Sequence, residues 1–200
     1  MILYMKIPKV KFIYAYPLDR NRRDLYTQKN LDDYPTIEKI REKVKYWEIF
    51  WAKNNKEDEI VLKIRDLTRR LPDRSLECFV VGAGINPMST PFIMPIMGRG
   101  GERTDDSFLD TMIHEILHIF VSGNRNYFDF IREKYSDESV LAQNHIIIYA
   151  FLEKIYIDLF NSKPIDYVKN DLPDGYNRAI QIVKEVGYEK LIDEYYFHTT

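Results

Sequence analysis

One apolar segment, Phe108 to Val121, constrains the fold of this chain more than any other feature. It is apolar almost throughout, yet it contains His114-Glu115-Ile116-Leu117-His118, which is the H-E-x-x-H pattern. A helix that is apolar on most of its sides belongs in a protein core. Two histidines and a glutamate are costly there unless they have partners. The segment therefore predicts a buried helix that carries a polar site.

The spacing of the two histidines indicates a metal site. Residues four apart lie on one face of a helix, so His114 and His118 can direct their imidazoles at one point. A single Zn²⁺ can then bind one nitrogen of each, at about 2.0–2.1 Å. Glu115 lies too far round the helix to bind the ion easily, but it can reach a water on the metal as a general base. The competing interpretation is that both histidines are satisfied core residues and Glu115 pairs with a surface cation.

Composition fits a soluble globular chain and excludes several functions. The 200 residues are enough for one domain with a real core, and 45% of them are hydrophobic. The net charge of −2 argues against a nucleic-acid-binding surface. The single cysteine, Cys78, excludes an internal disulfide framework, and its apolar neighbours predict a buried thiol. The sequence has no run of 18 apolar residues and no signal-peptide cleavage pattern, so we expect a cytoplasmic protein without a membrane partner.

Strands and helices are predicted to alternate before the motif. Two prolines in Pro91–Met97 should confine that run to an edge strand or an irregular one. The expected elements are a strand over Val10–Tyr16, a loop over Asp19–Asp33, a helix over Ile37–Lys53 capped by Thr36, a helix over Glu57–Arg70, a strand over Leu76–Val81, the Pro91–Met97 strand and a glycine-rich loop over Gly98–Arg103.

From the motif onward the chain is predicted to be mostly helical. The expected helices are Asp105–Val121, Tyr127–Tyr135, Asp137–Phe160 with Ser136 as its cap, Gly175–Val186 and Tyr188–Tyr196.

In its H-E-I-L-H pentapeptide and this order of elements, the chain resembles the zinc metallopeptidases called zincins, including small uncharacterised archaeal members. The resemblance implies an α+β fold with a small N-terminal sheet, the central motif helix and a helical C-terminal part. It implies one domain over residues 1–200, with lobes of about 1–122 and 123–200 and a cleft between them. It also implies that an extended peptide adds to an edge strand, here Phe92 to Met97.

A third zinc ligand is needed, because a catalytic zinc has three protein ligands and one open position. No histidine follows closely after Gly123, so the metzincin pattern is absent. Two candidates are His145, which lies inside an apolar run, and Glu138, which lies twenty residues after His118. We favour His145. The alternative role for His145 is a core histidine whose ring nitrogens are hydrogen-bonded. The alternative role for Glu138 is a charge that stabilises the start of its helix.

The predicted function is zinc-dependent hydrolysis of peptide bonds, with one Zn²⁺ per chain and a peptide or protein substrate. Glu115 is the predicted base, and His114, His118 and His145 are the predicted ligands. Two alternatives stay open, namely a regulatory peptidase that cleaves one cytosolic repressor and a non-catalytic, zinc-stabilised interaction domain. The sequence leaves the oligomeric state open. Tyr149 lies one turn beyond His145 and is either a core residue or an oxyanion donor, and His198 is expected in an exposed tail.

Overall fold

The computed structural model describes residues 7–29, 33–53, 56–70, 75–98, 100–164, 167 and 172–199. Within these residues it has short strands and longer helices in an α+β arrangement, which confirms the predicted class. The elements are β1 Val10–Tyr14, α1 Tyr16–Gln28, α2 Ile37–Ala52, α3 Lys56–Thr68, β2 Leu76–Val81, β3 Met88–Ser89, β4 Phe92–Pro95, β5 Met97–Gly98, β6 Gly101–Glu102, α4 Asp105–Val121, α5 Arg125–Lys134, α6 Val140–Phe160, α7 Asp174–Val186 and α8 Tyr188–Thr199.

The main sheet is mixed, with the strand order β1-β2-β4-β3. β2 pairs in parallel with β1 and β4, and β3 pairs antiparallel with β4. The prediction of an edge strand over Phe92–Met97 is therefore wrong, because β4 lies between two partners. Its prolines are tolerated because Pro91 precedes β4 and Pro95 is its last residue. Beyond Pro95 the pairing continues, since the Ile96 amide donates to the Val81 carbonyl at 2.9 Å.

Helix α1 occupies most of the segment predicted to be a loop. The loop prediction for Asp19–Asp33 is wrong up to Gln28, while residues 30–32 lie outside the described residues. Pro17 stands in the first turn of α1, where a missing amide hydrogen costs nothing. β1 accordingly ends at Tyr14 and not at Tyr16. The helix is held by the buried Asp19 carboxylate, a polar contact that no apolar periodicity reveals.

The predicted helix after Thr36 is confirmed as α2. The Thr36 hydroxyl accepts a hydrogen bond from the Lys39 amide at 3.1 Å and so caps the helix. Trp47 on α2 is fully buried and stacks on Phe108 of α4, with ring centroids 4.4 Å apart. This aromatic contact fixes the first half of α4.

The glycine-rich segment Gly98–Arg103, predicted to be a loop, forms most of a tight hairpin. β5 and β6 pair antiparallel, with Met97 opposite Glu102 and Gly98 opposite Gly101. Gly101 has φ of 109°, which a residue with a side chain rarely adopts. Arg103 follows the hairpin and donates to the Pro95 carbonyl at 3.0 Å and to the Thr111 hydroxyl at 2.9 Å. The segment is therefore ordered against α4.

Four helices follow α4 in the described residues, close to their predicted positions. The start of α6 differs from the prediction, because Ser139 and not Ser136 caps it and accepts from the Ala142 amide at 3.2 Å. The helix therefore begins at Val140 and not at Asp137. α6 is buried along most of its length and packs against α7 and α8.

The chain divides into two compact units. One comprises residues 1–62 and 71–111, and the other comprises 63–70 and 112–200. The sheet belongs to the first unit, and His114, His118 and His145 belong to the second. Cys78 is buried in β2, as predicted. No helix in the described residues has the length and apolar character needed to cross a bilayer.

Candidate metal centre

Helix α4 has the predicted bounds, Asp105–Val121. Thr104 caps it, since its hydroxyl accepts from the Ser107 amide at 3.2 Å and its carbonyl accepts from the Phe108 amide at 2.8 Å. The side chains around the motif are apolar and fully buried, namely Met112, Ile113, Ile116 and Leu117. The motif histidines are thus displayed by a helix whose position is set by core packing.

His114 and His118 present their Nε2 atoms to each other at 3.1 Å. They lie one helical turn apart, as the sequence predicted for two ligands of one metal ion. His114 is only 7% exposed, and His118 is half-buried. The pair is therefore preorganised by α4 alone.

His145 of α6 supplies a third imidazole to the same point. Its Nε2 lies 3.1 Å from the Nε2 of His118, and the three ligand atoms lie within 4.8 Å of one another. The predicted proximity of His145 to the two motif histidines is confirmed. Its Nδ1 donates to the Leu141 carbonyl at 2.7 Å, one turn earlier on α6. In a neutral imidazole with its proton on Nδ1, the lone pair of Nε2 points toward the other two histidines.

The three histidines lie close enough together to bind one metal ion. Burial and the neighbouring His145 lower the pKa of His118 to about 3, so its imidazole is neutral at pH 7. The Nε2 of His118 lies 3.1 Å from the Nε2 of each of the other two histidines, so a single ion could contact all three nitrogens.

The alternative ligand, Glu138, does not join the histidines. Its Oε1 accepts from Nε of Arg178 at 2.7 Å, and the two residues form an ion pair. Glu138 was expected in the first turn of its helix, but it precedes the Ser139 cap of α6. The group of candidate ligand atoms among the described residues contains the three histidines and no carboxylate.

Glu115, the predicted base, is buried on α4 beside its histidine neighbour. It is 8% exposed, although burying a carboxylate in a protein interior is costly. Few charged side chains in the described residues are buried to this degree; the others are Asp19, Glu57 and Asp110. The motif therefore places a buried carboxylate next to a buried histidine on the same helix.

Two tyrosines pack against the histidine rings. Tyr149 is fully buried, and its ring centroid lies 5.6 Å from that of His114. It is therefore both a core residue and a neighbour of the site. Tyr176 on α7 lies 4.4 Å from His145 by ring centroids. Sequence reasoning missed Tyr176, since only the packing of α7 on α6 brings it there, and no local pattern marks it.

His198 is not in an exposed tail, contrary to the prediction. It lies in α8, is partly buried and stacks on Phe130 of α5 with ring centroids 3.9 Å apart. It does not belong to the group of converging histidines.

No protein-family model, curated protein or solved structure matches this chain.

Proposed function

We propose that this protein is a zinc-dependent peptidase. The observation that carries the proposal is the convergence of three Nε2 atoms on one point, with two of them on a helix that reads His-Glu-x-x-His. Three histidines are a known catalytic ligand set that leaves one position for water or substrate. His114, His118 and His145 would hold the ion.

In this proposal, each residue of the site has a separate chemical role. A bound zinc supplies Lewis acidity, which lowers the pKa of a water molecule and polarises a carbonyl. Glu115 accepts the proton of the attacking water and later returns it to the leaving amine. The Leu141 carbonyl accepts from Nδ1 of His145 and so favours the tautomer that presents the Nε2 lone pair to a metal. Buried apolar side chains around the motif lower the local dielectric and so strengthen these electrostatic interactions.

The histidine cluster is also compatible with a non-catalytic zinc-stabilised domain. Its enclosure supports that alternative, because His114 and His145 are each less than a tenth exposed. A structural zinc site, however, is closed by four protein ligands. The described residues bring three candidate ligands together, and a structural site has no use for a buried base beside them. A regulatory peptidase would use the same site, so only a substrate screen separates it from a general one.

The test compares Glu115→Gln with the wild type. The variant should bind zinc as tightly as the wild type but lose peptide hydrolysis by about three orders of magnitude or more, because the base is gone while the three ligands remain. Hydrolysis is followed on a quenched-fluorescence peptide library, and zinc is measured on the same samples. Glu133→Gln, on the exposed surface of α5, is the matched control and should keep full activity.

Equal hydrolysis by the wild type and Glu115→Gln would show that Glu115 is not the general base. Zinc binding without any hydrolysis in the wild type, across the library and across cell-extract proteins, would favour the non-catalytic domain.

A further inference from the structure

A second polar site lies in the helical unit, at a cavity of about 300 Å³. The cavity is lined by the end of α3, the turn between α4 and α5, and α8. Three of its lining residues are arginines, namely Arg69, Arg70 and Arg125. No aspartate or glutamate is among the described residues that line it.

The three arginines have no carboxylate partner among the described residues. Two of the nearby acids are paired with other arginines, since Asp66 bonds to Arg65 at 2.6 Å and Asp129 bonds to Arg132 at 2.9 Å. Asp193 also lies within electrostatic range of Tyr196, the ring beneath Arg69, but it does not line the cavity. Three like charges around one cavity repel one another, and an anion between them would relieve that repulsion. The local charge therefore favours a negatively charged ligand.

Two of the guanidinium groups are held by their surroundings. One terminal nitrogen of Arg70 donates to the Ser122 carbonyl at 2.6 Å, which leaves its other N–H groups for a ligand. The guanidinium of Arg69 lies 3.8 Å from the ring centroid of Tyr196. Arginines restrained in this way lose less conformational entropy when they bind an anion.

The start of helix α5 adds further donors to the cavity. Asn124 is the N-cap residue, but its side chain makes no capping hydrogen bond. Asn124, Arg125 and Asn126 all line the cavity, so the first turn of this ten-residue helix adjoins it. The free amide hydrogens of a first turn, together with the helix dipole, attract oxyanions.

We propose that this cavity binds a phosphate group, either as inorganic phosphate or on a small organic molecule. Arginine forks and helix amides match the tetrahedral oxygens of phosphate, which accepts several charge-assisted hydrogen bonds at once. The volume of about 300 Å³ is at the lower end of small-molecule pockets, so it has room for more than the phosphate alone. This site does not depend on the peptidase activity proposed for the histidines.

The test is isothermal titration of the full chain with inorganic phosphate and, separately, with glycerol 3-phosphate. Ionic strength is held constant, because exposed charges bind anions loosely at low salt. We expect saturable one-to-one binding that weakens about tenfold or more in Arg125→Gln and in Arg69→Gln. Arg132→Gln on the same helix removes the same charge outside the cavity and should weaken binding less than twofold. His145→Ala should bind phosphate as the wild type does.

Tighter binding of glycerol 3-phosphate would identify an organic phosphate as the ligand, and equal binding would identify the phosphate group alone. Binding that never saturates for either probe would overturn the proposal. Equal weakening in Arg125→Gln and Arg132→Gln would also overturn it, and so would loss of phosphate binding in His145→Ala.

Discussion

At the scale of single residues, His145 is the predicted ligand that packing between helices brings to the motif. It lies in an apolar run of α6, and the Leu141 carbonyl accepts a hydrogen bond from its Nδ1. The other nitrogen faces His118 at 3.1 Å. Histidines that bind metals commonly donate their other ring N–H to a backbone carbonyl in this way, and we therefore expect His145 to act as a ligand.

We expect His145→Ala to lower zinc affinity by more than about 100-fold, because the loss of a ligand should exceed the 10- to 100-fold effect of losing an outer-shell partner. Competition with a chromophoric chelator measures the affinity. Glu138→Gln is the control, since Glu138 pairs with Arg178 and should leave zinc affinity within about threefold. If Glu138→Gln releases zinc while His145→Ala keeps it, the ligand assignment is wrong.

At the scale of secondary-structure elements, Asp19 ties α1 to the sheet. Its buried carboxylate accepts hydrogen bonds from the Tyr14 hydroxyl at 2.7 Å, the Tyr34 hydroxyl at 2.6 Å and the Gly82 amide at 2.7 Å. The side chain thus joins β1, α1 and the residue that follows β2. These bonds explain why a polar, charged segment forms a helix.

Asp19→Ala should reduce the free energy of unfolding by about 3 kcal/mol or more, because each buried donor left unsatisfied costs about 1–3 kcal/mol. Urea denaturation measures this change. Asp24→Ala, on the same helix, is the control, because Asp24 is exposed and its ion pair with Arg20 spans 4.0 Å. Its effect should stay below about 0.5 kcal/mol. Equal effects of the two substitutions would show that Asp19 does not anchor the helix.

The elements that the sequence predicted well are those whose signal is local. α4 and β2 have continuous apolar runs, and Thr36 marks the start of α2 with its own side chain. The elements that it missed depend on distant partners. The buried Asp19 of α1 meets Gly82, and β4 became an interior strand because β3 paired with it.

The same distinction holds for the candidate site. His114 and His118 could be paired from their spacing on one helix. His145 was one of two open choices, since its position depends on how α6 packs. Tyr176 had no sequence signal, because its contact with His145 is made across α6 and α7.

At the scale of the whole molecule, zinc binding is expected to be coupled to stability. His114, His118 and His145 would hold a metal ion only in the folded chain, so a bound ion would stabilise the fold by mass action. A free-zinc concentration 100 times the dissociation constant would contribute about 2.7 kcal/mol.

Removal of metal with a chelator should therefore lower the melting temperature by about 5–10 °C, and added zinc should restore it. Differential scanning calorimetry measures the shift. The control is His145→Ala, whose melting temperature should respond to neither treatment. A wild-type melting temperature that is unaffected by chelator and by zinc would indicate that the site does not hold the metal with useful affinity.

Metal content decides whether His114, His118 and His145 form a metal centre. Protein purified without chelators is analysed by elemental mass spectrometry beside the His114→Ala/His118→Ala double variant. Three converging nitrogens should retain close to one zinc per chain in the wild type, and the double variant, with one ligand left, should retain less than about a tenth of that. A full zinc complement in the double variant, or none in the wild type even after incubation with zinc, would show that these histidines do not form a metal centre.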